Sequence, residues 1–291
     1  MDWKNAQVAE RYKPGEAMTG PFAAHLIDLS GLSTADGSSD LVVLDNACGT
    51  GIVTLQLHEH VPAAARARMS VVSADFSPPM VESVAARITE NGWAGATAQV
   101  VDAQSLSATL PTAHFTHVLT NFAACHLPDP RAGLREAFRV LRPGGTMAFT
   151  AWKAVGWYPH TARALALIPG APALPPFADF VGSMVTATAS GEEEKRRWVD
   201  PAFFEARVRE AGFAEVETVL RENVTRTAGA AEHAKAYAEI TKRMLSTVWG
   251  DRVDEFGAQF EGALERAVRE EVGDGEVVLK WEAYCVIAKK A

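Results

Sequence analysis

Apolar residues along this chain fall into two rhythms. From Leu41 onward, short uninterrupted apolar runs alternate with segments whose apolar residues recur every three to four positions. Runs of the first kind read as strands buried on both faces, and their alternation with helical segments predicts a parallel sheet wrapped by helices. Five strands are expected over 41–47, 70–75, 96–101, 116–122 and 146–152. A helix over 52–60 follows the first of them. Another opens at Ser77-Pro78-Pro79, where serine is a good N-cap and proline fits the first turn. A third begins at Asp129-Pro130 and ends at Arg142-Pro143-Gly144-Gly145, read as a glycine-capped C-terminus before the fifth strand.

The flanks follow a different pattern. Residues 1–32 are helical, with Phe22, Leu26 and Leu29 on one face, a turn at Pro14-Gly15 and a stop at Ser30-Gly31. Between 155 and 199 the chain is rich in Pro, Ala, Thr and aromatics and loses strand periodicity, which predicts a helical insertion. Asp200-Pro201 starts a helix running to Ala211-Gly212. A strand over 215–224, a helical stretch over 229–271 and a strongly alternating strand over 276–288 complete the chain. The whole reads as one α/β domain over 1–291: a Rossmann-like, seven-stranded, mostly parallel sheet with a terminal antiparallel hairpin, N-terminal helices and a helical insertion after the fifth strand.

Composition narrows the partners. The 291 residues are 48% hydrophobic and 22% charged, with a formal net charge of -8. A chain this acidic, whose longest basic run is Lys195-Arg196-Arg197, does not suit nucleic-acid phosphates, so a small-molecule substrate is expected and no nucleic acid. No apolar stretch approaches the length of a membrane span, and the start lacks the apolar core of a signal peptide. Three cysteines, Cys48, Cys125 and Cys285, read as reduced buried thiols of a cytoplasmic protein. The eight histidines and three cysteines fall in no ligand spacing, and no metal is expected. Nothing in the pattern determines an oligomeric state.

The chemistry concentrates in Val42-Val43-Leu44-Asp45-Asn46-Ala47-Cys48-Gly49-Thr50-Gly51. An apolar run ending in an acidic residue and a Gly-x-Gly turn before a helix is a nucleotide-type cofactor site. A dinucleotide fingerprint requires a third glycine where Thr54 stands, and Asp45 would repel a pyrophosphate. A carboxylate there suits a ligand with an ammonium or sulfonium charge. The run resembles the first motif of the class I S-adenosylmethionine-dependent methyltransferases, in which an acidic residue, a small residue and Gly-x-Gly follow the first strand. Leu141-Arg142-Pro143-Gly144-Gly145 adds to the likeness. Glu10-Arg11-Tyr12-Lys13, Glu16-Ala17-Met18-Thr19-Gly20 and Gly156-Trp157-Tyr158-Pro159 are similar to the fungal small-molecule methyltransferases related to the gliotoxin bis-thiomethyltransferase.

Asp75 ends the second strand, where a carboxylate can accept both hydroxyls of a ribose. Phe76 and Met80 follow it, placed either to cover an adenine or to fill the core. The resemblance implies S-adenosyl-L-methionine as cofactor, held by Asp45, Ala47, Gly49 and Gly51 of the first motif. It also implies Asp102 and Ala103 beside the adenine, the Asn121-Phe122 backbone beneath the methionine part, and Tyr12 and Thr19 as contacts from N-terminal helices that close over the cofactor. The insertion would be a lid over the substrate. His126 and His160 are candidate bases, since an imidazole titrates near neutrality. The implied activity is methyl transfer to a thiol or hydroxyl of a secondary metabolite. Two alternatives stay open: a methyltransferase-fold regulatory or partner-binding protein without turnover, and a nicotinamide-dependent oxidoreductase.

Overall fold

The structure is a computed structural model that describes residues 3–184 and 192–291. Seven strands form one sheet in the order β3-β2-β1-β4-β5-β7-β6. They are β1 (Leu41–Asn46), β2 (Met69–Asp75), β3 (Ala96–Val100), β4 (Phe115–Thr120), β5 (Leu141–Ala154), β6 (Ala214–Thr227) and β7 (Val277–Lys289). The first five pair in parallel, and β7 runs antiparallel between β5 and β6. Chain direction across the sheet reverses between β1 and β4. That switch point opens a crevice at their carboxyl ends, where ligands of open α/β sheets bind.

The helices, in chain order, are α1 (Val8–Tyr12), α2 (Glu16–Leu29), α3 (Ile52–His60), α4 (Ala63–Arg66), α5 (Pro78–Asn91), α6 (Pro130–Val140), α7 (Tyr158–Ala166), α8 (Phe177–Met184), α9 (Glu192–Arg196), α10 (Pro201–Glu210), α11 (Ala230–Trp249) and α12 (Val253–Val272). Three N-caps form at the serine and aspartates that the sequence marks, with proline next in line. Ser77 accepts from Met80 N–H, Asp129 from Ala132 N–H and Asp200 from Ala202 N–H. Gly31 ends the first helical stretch in a left-handed conformation.

The expected glycine cap at 142–145 is corrected. Helix α6 ends at Val140, and Leu141 is already extended and paired with Phe115. Arg142 to Gly145 form an irregular entry to β5, tied to the last strand by Gly144 N–H on the Lys290 carbonyl and Lys290 N–H on Gly145. A strand partner from the far end of the chain outcompetes a local cap. The helical stretch expected over 229–271 is two helices, α11 and α12, broken at Gly250.

The insertion expected over 155–199 carries α7, α8, α9 and a 3-10 turn at Arg197–Val199, while its residues 185–191 lie outside the described residues. Two cores line the sheet's C-terminal half. One joins Trp152, Trp157, Phe180, Phe260 and Trp281 beneath the insertion and the α11/α12 pair. The other gathers Phe115, Phe149, Trp198 and Phe204 on the α6/α10 side. All three cysteines are free and buried. Among the described residues, no helix is long and apolar enough to cross a membrane.

Candidate cofactor cradle and active site

The turn after β1 is built by backbone conformations that side chains disfavour. Ala47, Gly49 and Gly51 have φ of 54°, 54° and 86°, in the left-handed region that glycine adopts freely and alanine does not. Gly51 has a second reason to lack a side chain: a Cβ there would stand 2.4 Å from Val84 Cγ2 of α5. Cys48 N–H bonds the Ala74 carbonyl and Gly51 N–H the Cys48 carbonyl, which locks the turn against β2. At the end of β4, on the other side of the switch point, Phe122 is also left-handed at φ 57°. Two of the four left-handed non-glycine residues among the described residues, Ala47 and Phe122, thus sit at adjacent strand ends, the others being Ala113 and Glu215.

Asp75 is 6% exposed. Gly49 N–H donates to its Oδ2 and Ser77 N–H to its Oδ1, both at 2.9 Å. Burial raises its pKa from the usual carboxylate value, opposed by the backbone N–H groups of Ser77, Gly49 and Phe76. Each oxygen keeps lone-pair capacity for a further donor. Beside it, Phe76 is 43% exposed, an aromatic face open at the crevice. Met80 is buried with Val8 and Ala9 of α1, and Trp3 and Tyr12 pack against them.

Asp45 lies deeper. Thr54 donates to its Oδ2 through both backbone N–H (3.1 Å) and hydroxyl (2.7 Å), and the same hydroxyl meets Ser73 at 2.7 Å. Thr54 thus replaces a third glycine with a tether from α3 to β1 and β2. The other oxygen, Oδ1, is buried without a partner. Burial pushes the Asp45 carboxyl up to about 7, with Thr54 opposing and Asp75 adding to the rise. A buried carboxylate with an orphaned oxygen beside a second carboxylate is a place suited to a cation.

Asp102 is exposed, and its Oδ1 accepts from the backbone and side chain of Gln104. Ala103 next to it is buried. Asn121 bridges three elements: its Nδ2 donates to the Thr19 carbonyl of α2, and its Oδ1 accepts from Thr150 of β5. The Thr150 hydroxyl in turn accepts from Phe122 N–H at 2.7 Å, holding the left-handed residue in place. Thr19 is buried, its hydroxyl on the Gly15 carbonyl. Tyr12 reaches over the turn from α1; its ring is the nearest group to a Cβ built on Gly49, at 3.8 Å. Burial, then Asp75 and Glu16, push its phenol up to about 12.

Beyond Asn121, three aromatic rings close the crevice. Phe122 stacks on Trp152 at 3.7 Å, and Phe22 of α2 meets both edge-on. His126 follows in a 3-10 turn just past β4, with Nδ1 buried and unpartnered; burial lowers its pKa to about 4. His160 is not brought to the crevice. It sits in α7 with Nε2 3.3 Å from Glu271 and its ring against His233 of α11. Trp152, Trp281, Tyr237 and His233 stand ring by ring between Phe122 and His160.

The contacts of Glu16, Thr50, Arg87, Thr150 and Trp152 carry no mark in the sequence. Each depends on a partner from a distant segment, such as Glu16 on Arg87 and Thr150 on Asn121. The one available signal was the acid of Glu16 in the first turn of a helix that otherwise buries its face.

A seven-stranded sheet with this order, a glycine turn at its switch point and carboxylates ending β1 and β2 defines the methyltransferase class. Residues 44–149 match the methyltransferase domain family. Methyltransferase ktnA of Aspergillus niger is 31% identical over 98% of this chain and 96% of its own length. An acetylaranotin bis-thiomethyltransferase of Aspergillus terreus is 35% identical over 61% of this chain and 59% of its own. Among solved structures, one described as a putative methyltransferase from Bacillus halodurans superposes with a TM-score of 0.54 at 20% identity, covering 92% of this chain and 98% of that one. The chain belongs to the class I methyltransferase family.

Proposed function

We propose that the protein binds S-adenosylmethionine in this cradle and methylates a small apolar molecule of secondary metabolism, at a thiol in the first instance and a hydroxyl in the second. The observation that carries this reading is the Asp75 carboxylate, held at the carboxyl end of β2 by Gly49 N–H beside the open ring of Phe76. The residues fit the cofactor. Asp75 would take the ribose hydroxyls, Phe76 one adenine face and Asp102 with Ala103 its edge. The orphaned Oδ1 of Asp45 supplies a buried negative charge toward the cationic methionine end, and the Asn121 and Phe122 backbone lies beneath it.

When bound, the cofactor supplies an electrophilic methyl group on a sulfonium. The protein's own contribution is alignment and exclusion of water. Phe22, Phe122 and Trp152 close the crevice beyond β4 and β5 with apolar rings, so an acceptor must enter among them, under the insertion that would serve as its lid. His126 lies just past β4, and at a pKa of about 4 it is a weak base at neutrality. An acceptor that ionises readily suits such a site, which favours a thiol over an alcohol. The bis-thiomethyltransferase among the relatives supports the same choice.

Calorimetric titration with S-adenosylhomocysteine, followed by incubation with methyl-labelled S-adenosylmethionine and extracts containing thiols, tests the reading. Binding of the product cofactor and label in a small thioether support it. Response to NADH with none to S-adenosylhomocysteine would sink it. Binding without label transfer to any acceptor would favour a methyltransferase-fold binding protein.

A further inference from the structure

Among the ties that hold the N-terminal helices to the cradle, one is a charged pair at the start of α2. Glu16, at the start of α2, is 15% exposed along its side chain, and Arg87 of α5 is 14% exposed. Arg87 Nη2 donates to both Glu16 oxygens at 2.9 Å, and the Thr50 hydroxyl donates to Glu16 Oε1. Thr50 stands between the two glycines of the turn and is 1% exposed. One turn upstream, the Tyr12 ring covers Gly49. Further upstream, the Trp3 carbonyl accepts the Ser77 hydroxyl, and the Trp3 ring contacts Tyr12.

This arrangement shuts the cradle. Asp75 is 6% exposed, and Tyr12 lies over Gly49, whose N–H holds that carboxylate, so access to Asp75 runs past the N-terminal segment. Lifting that segment must break the Glu16 bonds to Thr50 and Arg87. We infer that Glu16 and Arg87 are positioning residues forming a latch that governs how fast the cofactor enters and leaves the cradle. The inference rests on the S-adenosylmethionine reading above.

Its kinetic signature follows from where the latch is made. The bonds exist in the unliganded protein, so closure opposes entry as well as exit. Loosening the latch therefore speeds both steps and leaves the equilibrium nearly unchanged. A pair that merely stabilised the fold would show lower stability without faster association. Breaking one partner of a half-buried pair leaves the other uncompensated, so Arg87→Met and Glu16→Gln should agree in direction, with Arg87→Lys between them and the wild type.

Stopped-flow tryptophan fluorescence with S-adenosylhomocysteine measures both rate constants on the full chain. In Arg87→Met and Glu16→Gln, association and dissociation should each rise about tenfold, the scale of removing one charge-assisted bond, with the dissociation constant moving less than about threefold. Association rates within twofold of wild type in both variants would overturn the latch. Hydrogen exchange in the unliganded protein gives an independent reading. Amides of 8–29 should exchange faster in the variants while those of β1 and β4 do not, and unchanged exchange at 8–29 would also overturn it. Should the wild type fail to bind S-adenosylhomocysteine, the cofactor reading falls, and hydrogen exchange still decides whether Glu16 and Arg87 fasten the segment.

Discussion

The cradle at the ends of β1 and β2 and the aromatic region beneath the insertion are both buried, yet the first buries carboxylates and the second imidazoles and hydroxyls. In the cradle, backbone and hydroxyl donors reach both oxygens of Asp75, from Gly49 and Ser77, and one oxygen of Asp45, from Thr54, leaving Asp45 Oδ1 unpartnered. Under the insertion, the polar atoms are left unmatched. His233 is fully buried with both ring nitrogens unpartnered, and His160 Nδ1, Thr161 Oγ1 and Thr241 Oγ1 join it. A satisfied carboxylate preorganises a site. Unsatisfied imidazoles cost stability and are kept neutral by their surroundings. Burial disfavours the charged form in both regions, raising the Asp45 carboxyl and lowering the His233 imidazole, so these two groups respond to pH with opposite sign.

The largest effect expected from this contrast is on the acid side. Burial, and secondarily His160, lower the His233 pKa to about 4, below its unfolded value. The unfolded chain then binds the proton first, so stability is intact above the unfolded pKa of about 6.5 and is lost as pH falls toward 4. Urea denaturation of the wild type should show a loss of about 2 kcal/mol between pH 7 and pH 4.5 from this group, and His233→Phe should flatten that part of the profile. An unchanged slope would place the acid sensitivity elsewhere.

Next is Asp75→Ala. Removing the acceptor of Gly49 N–H and of the ribose should weaken S-adenosylhomocysteine binding by more than about tenfold, or 1.4 kcal/mol, by calorimetry. Unchanged affinity would show that the cradle holds its ligand through other groups.

Asp45→Asn tests the alkaline side. The carboxyl pKa of about 7 lies above its unfolded value, so the folded state holds the proton longer, and its contribution is full below about pH 4 and lost as pH rises through 7. An amide oxygen can still accept from Thr54 and carries no charge. The variant should be more stable than wild type at pH 8 and no more stable at pH 4, while binding the cationic cofactor more weakly than wild type. Equal stability at both pH values would mean the carboxyl titrates normally.

The smallest effect is Ala47→Gly. Relieving a left-handed alanine should raise stability by roughly 0.5 kcal/mol, the strain gain partly offset by unfolded-state entropy. A loss above about 1 kcal/mol would show that the methyl group packs.

Much of the cradle was legible because its signals are local. Strand runs, the Gly-x-Gly turn and the acids at strand ends lie within a few residues of the structures they specify. Thr54 was legible only as an absence, the missing third glycine; its bond to Asp45 spans a strand, a turn and the start of a helix. Arg142 to Gly145 misled, since a glycine pair after a helix reads as a cap until Lys290 arrives to pair with it. Met80 was legible as apolar but not as the floor of the α1 contact.

Sequence by itself determined the sheet and the position of the glycine turn, because apolar runs, helical patterning and φ-permissive residues act over a few positions, and the methyltransferase class came from the resemblance its first motif carries. Only the tertiary structure decided that Glu16 meets Arg87, that Thr150 braces Phe122, and that His160 faces His233 and Glu271 instead of the crevice. Each of those contacts joins segments far apart in the chain, and no local pattern records which distant partner a polar side chain will find once the core has closed around it.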